Sequence, residues 1–209
     1  GDHAFCRFKE RVQRCVAAIR DASRSSGRTC LYFPHVVGSH DDVRSQVQFA
    51  KQTGADGILL SPGRVGYQAL HDLSRHQTEA LPIMSHPAFL GTYAMAPTQG
   101  LAPSVLYGRL PRLAGADITI YPTYGLNVPI SRQDCTQIAA ACTESWGALR
   151  PIFPTAAGRM GEDRIGEMCE VYGRDYVFIL GSQVRESPEG IAASCEHFMQ
   201  RLETFSAAH

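Results

Sequence analysis

The chain has 209 residues, with 20 Lys or Arg against 20 Asp or Glu and 44% hydrophobic residues. A formal net charge of zero leaves no electrostatic footprint for nucleic acid or an anionic membrane surface, so neither partner is expected. No apolar run approaches the roughly 20 residues of a membrane helix, and the opening residues do not read as a signal peptide; the expectation is a cytoplasmic protein forming one domain over residues 1–209.

Phe5 to about Ser25 reads as an amphipathic helix. Phe8, Val12, Cys15 or Val16 and Ile19 share one face, Lys9, Glu10, Arg14 and Arg20 lie opposite, and Gly27 supplies the stop. Thr29–Phe33 reads as a buried strand broken by Pro34 and followed by His35. A helix over Asp41–Thr53 ends at Gly54, a strand over Gly57–Leu60 ends in Ser61-Pro62-Gly63, and Val65–Arg75 is helical.

The stretch Leu81–Gly125 is the centre of the pattern. A strand at Pro82–Ser85 exits at His86 into a Gly/Pro-punctuated loop. A helix follows with apolar Val105, Leu106, Leu110 and Leu113, and then a strand over Ile118–Tyr121. Beyond it, Ser131 caps a helix to about Trp146, Arg150–Pro154 is a strand, and Glu162–Tyr172 is a helix closed by Gly173. Tyr176–Leu180 is the last strand, and Pro188 opens a final helix to about Phe205.

Seven helices and six strands thus alternate, beginning with a helix. A doubly wound sheet would carry a G-x-G-x-x-G turn after an early strand, and none occurs. The alternative is a (β/α)8 barrel of which this chain supplies about six of the eight units, the first two strands lying before Gly1.

The seven cysteines form no C-x-x-C pair and are expected as core filler, neither disulfide-linked nor zinc-binding. In a parallel barrel, ligands bind at the strand exits. The residues there are Asp2 and His3, His35, Ser61 with Gly63, His86, Tyr121 to Asn127, Thr155 to Arg159, and Gly181 to Arg185. His35 and His86 are the candidate catalytic groups. His40, His71, His76 and His197 read as solvated, and Tyr67, Tyr107 and Tyr172 as rings packing helices onto the sheet. Gly181 and Ser182 can present backbone N–H groups to an anion, with Arg159 and Arg185 adding charge.

With these positions assembled, the sequence resembles the carboxyl-terminal barrel of the RuBisCO large-subunit superfamily, specifically its RuBisCO-like proteins. The matching segments are FKERVQRCVAAI, TCLYFPHVVG, AKQTGADGILLSPGRVGYQAL, PIMSHPAF, YGRLPRLAGADITIYPTYG, RPIFPTAAGRM and FILGSQVRESPEG. The resemblance implies catalytic lysines on the two barrel strands outside this chain, and acidic magnesium ligands at the second, where Asp2 and His3 fall. It matches His86 to an active-site histidine. Pro87 then stands where a phosphate-binding arginine follows it, Ile120 where a second histidine lies, and Ala157 where a serine lies. Gly181 and Ser182 keep part of the other phosphate site, although Gln183 and Arg159 each replace a glycine.

What the resemblance implies is a non-carboxylating, Mg2+-dependent (or other divalent-cation-dependent) enzyme. It would enolise, isomerise or decarboxylate a mono-phosphorylated keto-sugar, as a homodimer and with no nucleotide or organic cofactor. His35 is implied as a further or outer group at the cation. The alternative is a non-catalytic barrel fragment or scaffold without the lysines, because Lys9 and Lys51 are the chain's only lysines and both read as helical.

Overall fold

A computed structural model describes residues 4–75, 81–94, 96, 98–158 and 160–208. The chain divides into two compact units, one of Gly1–Thr92 with Leu110–Thr119, the other of Tyr93–Arg109 with Ile120–His209.

In the first unit, helix α1 (Phe8–Ser26) ends at Gly27, whose φ of 69° is the left-handed conformation that a residue without a Cβ adopts at least cost. Strand β1 (His35–Val36) leads to α2 (His40–Thr53), which starts on a reciprocal capping box between Ser39 and Asp42. Strand β2 (Ile58–Leu60) follows, then α3 (Pro62–Val65), α4 (Tyr67–Arg75) and β3 (Ile83–Ser85). Helix α5 (Leu110–Leu113) and the first residues of β4 (Ile118–Pro122) complete this unit. Phe8, Val12 and Val16 of α1 and Val43 and Val47 of α2 pack with Val36, Ile58, Leu60, Leu70 and Ile83 in one buried cluster. The valines and isoleucines meet because helical spacing puts α1's apolar residues on one face and the strands supply β-branched partners.

The second unit holds a π-helical turn at Ser104–Arg109, α6 (Arg132–Thr143), β5 (Phe153–Ala157), a 3-10 turn at Glu162–Arg164, and α7 (Ile165–Tyr172). It ends with α8 (Ser182–Arg185) and α9 (Ile191–Ala208). Gly108 lies against Ala141 and the Ile138 carbonyl of α6, an approach that a side chain would block. A line of rings runs from Tyr121 to Tyr172, Tyr176, Phe178 and Phe198, with successive centroids 5.9, 5.8, 4.8 and 5.4 Å apart.

The strands lie in the sheet in chain order, β1-β2-β3-β4-β5, and the β1–β2, β2–β3 and β3–β4 pairs are parallel. Sequential order with helical crossovers is the wall of a (β/α)8 barrel; a doubly wound sheet reverses direction at a switch point.

Several boundaries differ from expectation. The first strand falls at His35–Val36 rather than Thr29–Phe33. The Asp56 N–H donates to the Tyr32 carbonyl and the Leu59 N–H to the Pro34 carbonyl, but Pro34 has no N–H with which to carry a ladder. Gly66, at φ 87°, splits the helix expected over Val65–Arg75. In the helix after the His86 loop, Pro111 removes an N–H; a π register, in which a carbonyl accepts from the fifth residue on, steps past it. Leu113 there is 52% exposed, against the apolar face expected. The Ser131 helix stops at Thr143 rather than Trp146, the fifth strand falls at Phe153–Ala157 rather than Arg150–Pro154, and the last helix starts at Ile191, after Gly190, rather than at Pro188. Tyr176–Leu180 is no ladder strand: its tie to β5 is the bond from Val177 N–H to the Pro154 carbonyl at 3.1 Å.

All seven cysteines are free thiols; Cys135 and Cys142 are buried core, whereas Cys30 and Cys195 are exposed and fill none. Tyr107 and Tyr172 are buried, and Tyr67 packs on the first unit's core. His40 and His197 are exposed, and His76 lies outside the described residues.

Candidate active site

Three strand ends of the first unit build the candidate site. His35 opens β1 opposite Leu59 of β2. Ser61 follows β2 directly and makes no side-chain cap for α3. Its hydroxyl lies instead 3.0 Å from His35 Nε2, with the serine fully buried. His86 follows β3 and extends the ladder, its N–H donating to the Leu60 carbonyl at 2.8 Å. The two imidazole rings lie 6.0 Å apart between centroids, their planes tilted by 33°.

The hydrogen bonds define what each ring can do. The Ala88 N–H donates to His86 Nδ1 at 3.1 Å. That nitrogen is therefore the acceptor, and neutral His86 carries its proton on Nε2. Burial lowers the His86 pKa below the ordinary histidine value. Burial also lowers that of His35, and His86, Arg64 and Arg11 push it further the same way. Both rings are neutral at pH 7. A neutral Nε2–H is a donor that keeps its proton and can stabilise a developing oxyanion.

The His86 loop is strained. Phe89 has φ 66°, the one positive value among described non-glycine residues, and its ring is 68% exposed. Arg64 lies over that ring at 5.7 Å, and Gly63 leaves the space that the Ala88 carbonyl and Phe89 occupy.

Gly181, Ser182 and Arg185 belong to the second unit, around α8, and all are exposed. The Arg185 N–H donates to the Gly181 carbonyl at 3.2 Å, and the Glu186 N–H to the Ser182 carbonyl at 2.8 Å. The adjoining cleft of about 530 Å³ includes Glu162, Glu186 and Glu189 in its lining. These carboxylates oppose an anion inside that cleft, whose described lining does not include Gly181, Ser182 or Arg185. Arg159, Asp2 and His3 lie outside the described residues. Among the described residues, no group of three or more His, Cys, Asp or Glu side chains could hold a metal ion, so the structure places no cation by itself.

The sequence places both histidines at strand ends, as the structure has them, but gives no sign of what joins them. Ser61 stands 26 positions from His35, and only strand register brings the two together. Arg64 lies three residues past Ser61 on a short helix and carried no motif.

A sheet of parallel strands in chain order, with its polar groups at strand exits, defines this protein as part of a (β/α)8 barrel. The profile of the ribulose bisphosphate carboxylase large chain, catalytic domain, matches residues 1–128, and the chain belongs to that family. It is 34% identical over 197 residues to ribulose bisphosphate carboxylase-like protein 1 of Rhodopseudomonas palustris, covering 94% of this chain and 52% of the relative. It is 32% identical over 198 residues to 5-methylthioribulose-1-phosphate isomerase of Rhodospirillum rubrum, covering 95% of this chain and 51% of that enzyme. The crystal structure of a RuBisCO-like protein from Alicyclobacillus acidocaldarius superposes with a TM-score of 0.92 at 24% identity, over 100% of this chain and 53% of that one. The chain therefore spans about half the length of the relatives it matches. Among the described residues, no helix is long and apolar enough to cross a membrane.

Proposed function

We propose that this chain forms the greater part of the barrel of a RuBisCO-like enzyme that enolises and isomerises, or decarboxylates, a mono-phosphorylated keto-sugar without fixing CO2. The observation that carries the reading is the Ala88 N–H on His86 Nδ1, which commits the opposite nitrogen to donating. With the keto oxygen against Nε2–H, loss of the neighbouring C–H proton builds charge on that oxygen, and the hydrogen bond strengthens as the charge grows. His35, neutral and fixed by Ser61, stands beside it to accept or return a proton. Pro87, Ile120 and Ala157, in place of polar groups that the family resemblance implies there, favour a substrate with one phosphate over two.

The proposal includes a Mg2+ or similar cation on Asp2 and His3, which when bound would polarise the ketone. It also includes anion contacts from Gly181, Ser182, Arg159 and Arg185, and a homodimeric protein. The relative that isomerises 5-methylthioribulose 1-phosphate names the first compound to try. Incubating the full-length protein with it in deuterated buffer should exchange the proton next to the ketone, followed by NMR. His86→Asn should slow exchange about 100-fold or more with substrate affinity changed little. Exchange at the wild-type rate in that variant would overturn the role of His86, and CO2 uptake with ribulose bisphosphate would overturn the reading.

A further inference from the structure

The two oxygens of Ser61 do different work. Its carbonyl accepts from the N–H groups of Arg64 at 2.9 Å and Val65 at 3.2 Å, which starts α3. Its hydroxyl makes no cap and lies 3.0 Å from His35 Nε2. Among the described residues that nitrogen is the hydroxyl's single partner, and the serine is fully buried, so bulk water does not substitute for it. A hydroxyl carries one proton, and a buried proton without an acceptor is costly. If Nε2 carried hydrogen, Ser61 would have to accept, and its own proton would be left without a partner. Ser61 therefore donates, Nε2 accepts, and the proton of neutral His35 sits on Nδ1.

His86 reaches the matching state from its other nitrogen. The Ala88 N–H occupies Nδ1, and the proton is on Nε2. Each ring is half-buried and is left with one N–H open to solvent or substrate. Among the described residues neither N–H has a protein acceptor. With ring centroids 6.0 Å apart and planes tilted by 33°, the two donors belong to one site. Two oxygens on neighbouring carbons, a ketone and the hydroxyl beside it, supply one acceptor for each ring.

We propose that Ser61 is a positioning residue: it commits His35 to the Nδ1–H form, so that His35 and His86 offer two neutral donors to a substrate with oxygens on neighbouring carbons. This rests on the proposed function for what the site binds, and it adds the second contact: His86 meets the keto oxygen and His35 the oxygen next to it. His35 takes up a proton only at Nε2, as the Ser61 hydroxyl turns to accept, and gives one up from Nδ1. The tautomers are read without substrate, by nitrogen-15 NMR of the full-length protein labelled at histidine, at pH 7. His35 should be protonated at Nδ1 and bare at Nε2, and His86 the reverse. Ser61→Ala should remove that preference at His35 and leave His86 unchanged, and Ser61→Thr, which keeps the hydroxyl, should retain it. A wild-type His35 protonated at Nε2, or a Ser61→Ala spectrum like that of the wild type, overturns the assignment. Should Ser61→Ala fail to fold, the wild-type spectrum decides alone. The second donor is tested by calorimetry with dihydroxyacetone phosphate and hydroxyacetone phosphate, which differ only in the hydroxyl beside the ketone. Wild-type protein should bind the first about tenfold more tightly, the value of one hydrogen bond, and His35→Phe should erase the difference. Equal affinities in the wild type overturn the contact from His35. Binding of neither compound, with the tautomers as stated, upholds the role of Ser61 and overturns the proposed substrate class.

Discussion

At His35 and His86 the surroundings disfavour the imidazolium, and the consequence for stability has a definite sign. Both folded-state pKa values lie below the ordinary histidine value. Above about pH 6.5 the rings are neutral folded or unfolded and contribute no pH dependence. As pH falls below that, the unfolded chain takes up protons that the fold resists, so stability declines until the folded-state values are passed. The urea midpoint should therefore drop between pH 7 and pH 5, and the double variant His35→Gln/His86→Gln should show a shallower drop. Equal slopes would mean that burial of the rings carries no proton-linked cost. The two histidines were legible because strand ends collect chemistry in a parallel fold. Their protonation was not: the Ala88 N–H and the Ser61 hydroxyl that set it are products of loop geometry and strand register.

Elements with a local chemical signature were legible at nearly their true bounds. Ser131 with Asp134 forms the same reciprocal box as Ser39 with Asp42, and each marks its helix start within a residue of expectation. Elements decided by a missing donor were not. Pro34 displaces the first strand and Pro111 turns a helix into a π register, because apolar periodicity carries no information about which N–H groups are available. The close approach of the π turn to α6 was equally hidden, since it depends on Gly108 meeting Ala141 and Ile138. Gly108→Val should thus destabilise the fold by about 1–3 kcal/mol through overpacking, measured by chemical denaturation. A loss below a few tenths of a kcal/mol would show that α6 can shift to admit the side chain.

For the whole molecule, strand–helix alternation and the lack of a dinucleotide turn left a barrel as one alternative, and the family resemblance is what named it. How firmly each part is held depends on burial that alternation does not encode. The second unit ends on α9, where Phe198 is the one buried residue among the described side chains, 8% exposed, while Ile191 and Met199 face outward. Phe198 meets Phe178 edge to face at 73°, and the line of rings continues inward to fully buried Tyr121. A helix fastened chiefly through one ring opens locally at less cost than α6, which buries Cys135, Ile138, Ala139, Ala141 and Cys142. In native-state hydrogen exchange of the full-length protein, amides of Ile191–Ala208 should exchange before those of Arg132–Thr143. Phe198→Ala removes a ring whose deletion typically costs about 3 kcal/mol, and it should abolish protection across α9 while α6 keeps most of its own. Simultaneous loss in both helices would show that α9 unfolds only with the rest of the second unit, and that the aromatic line carries its cooperativity from Tyr121 to the last helix.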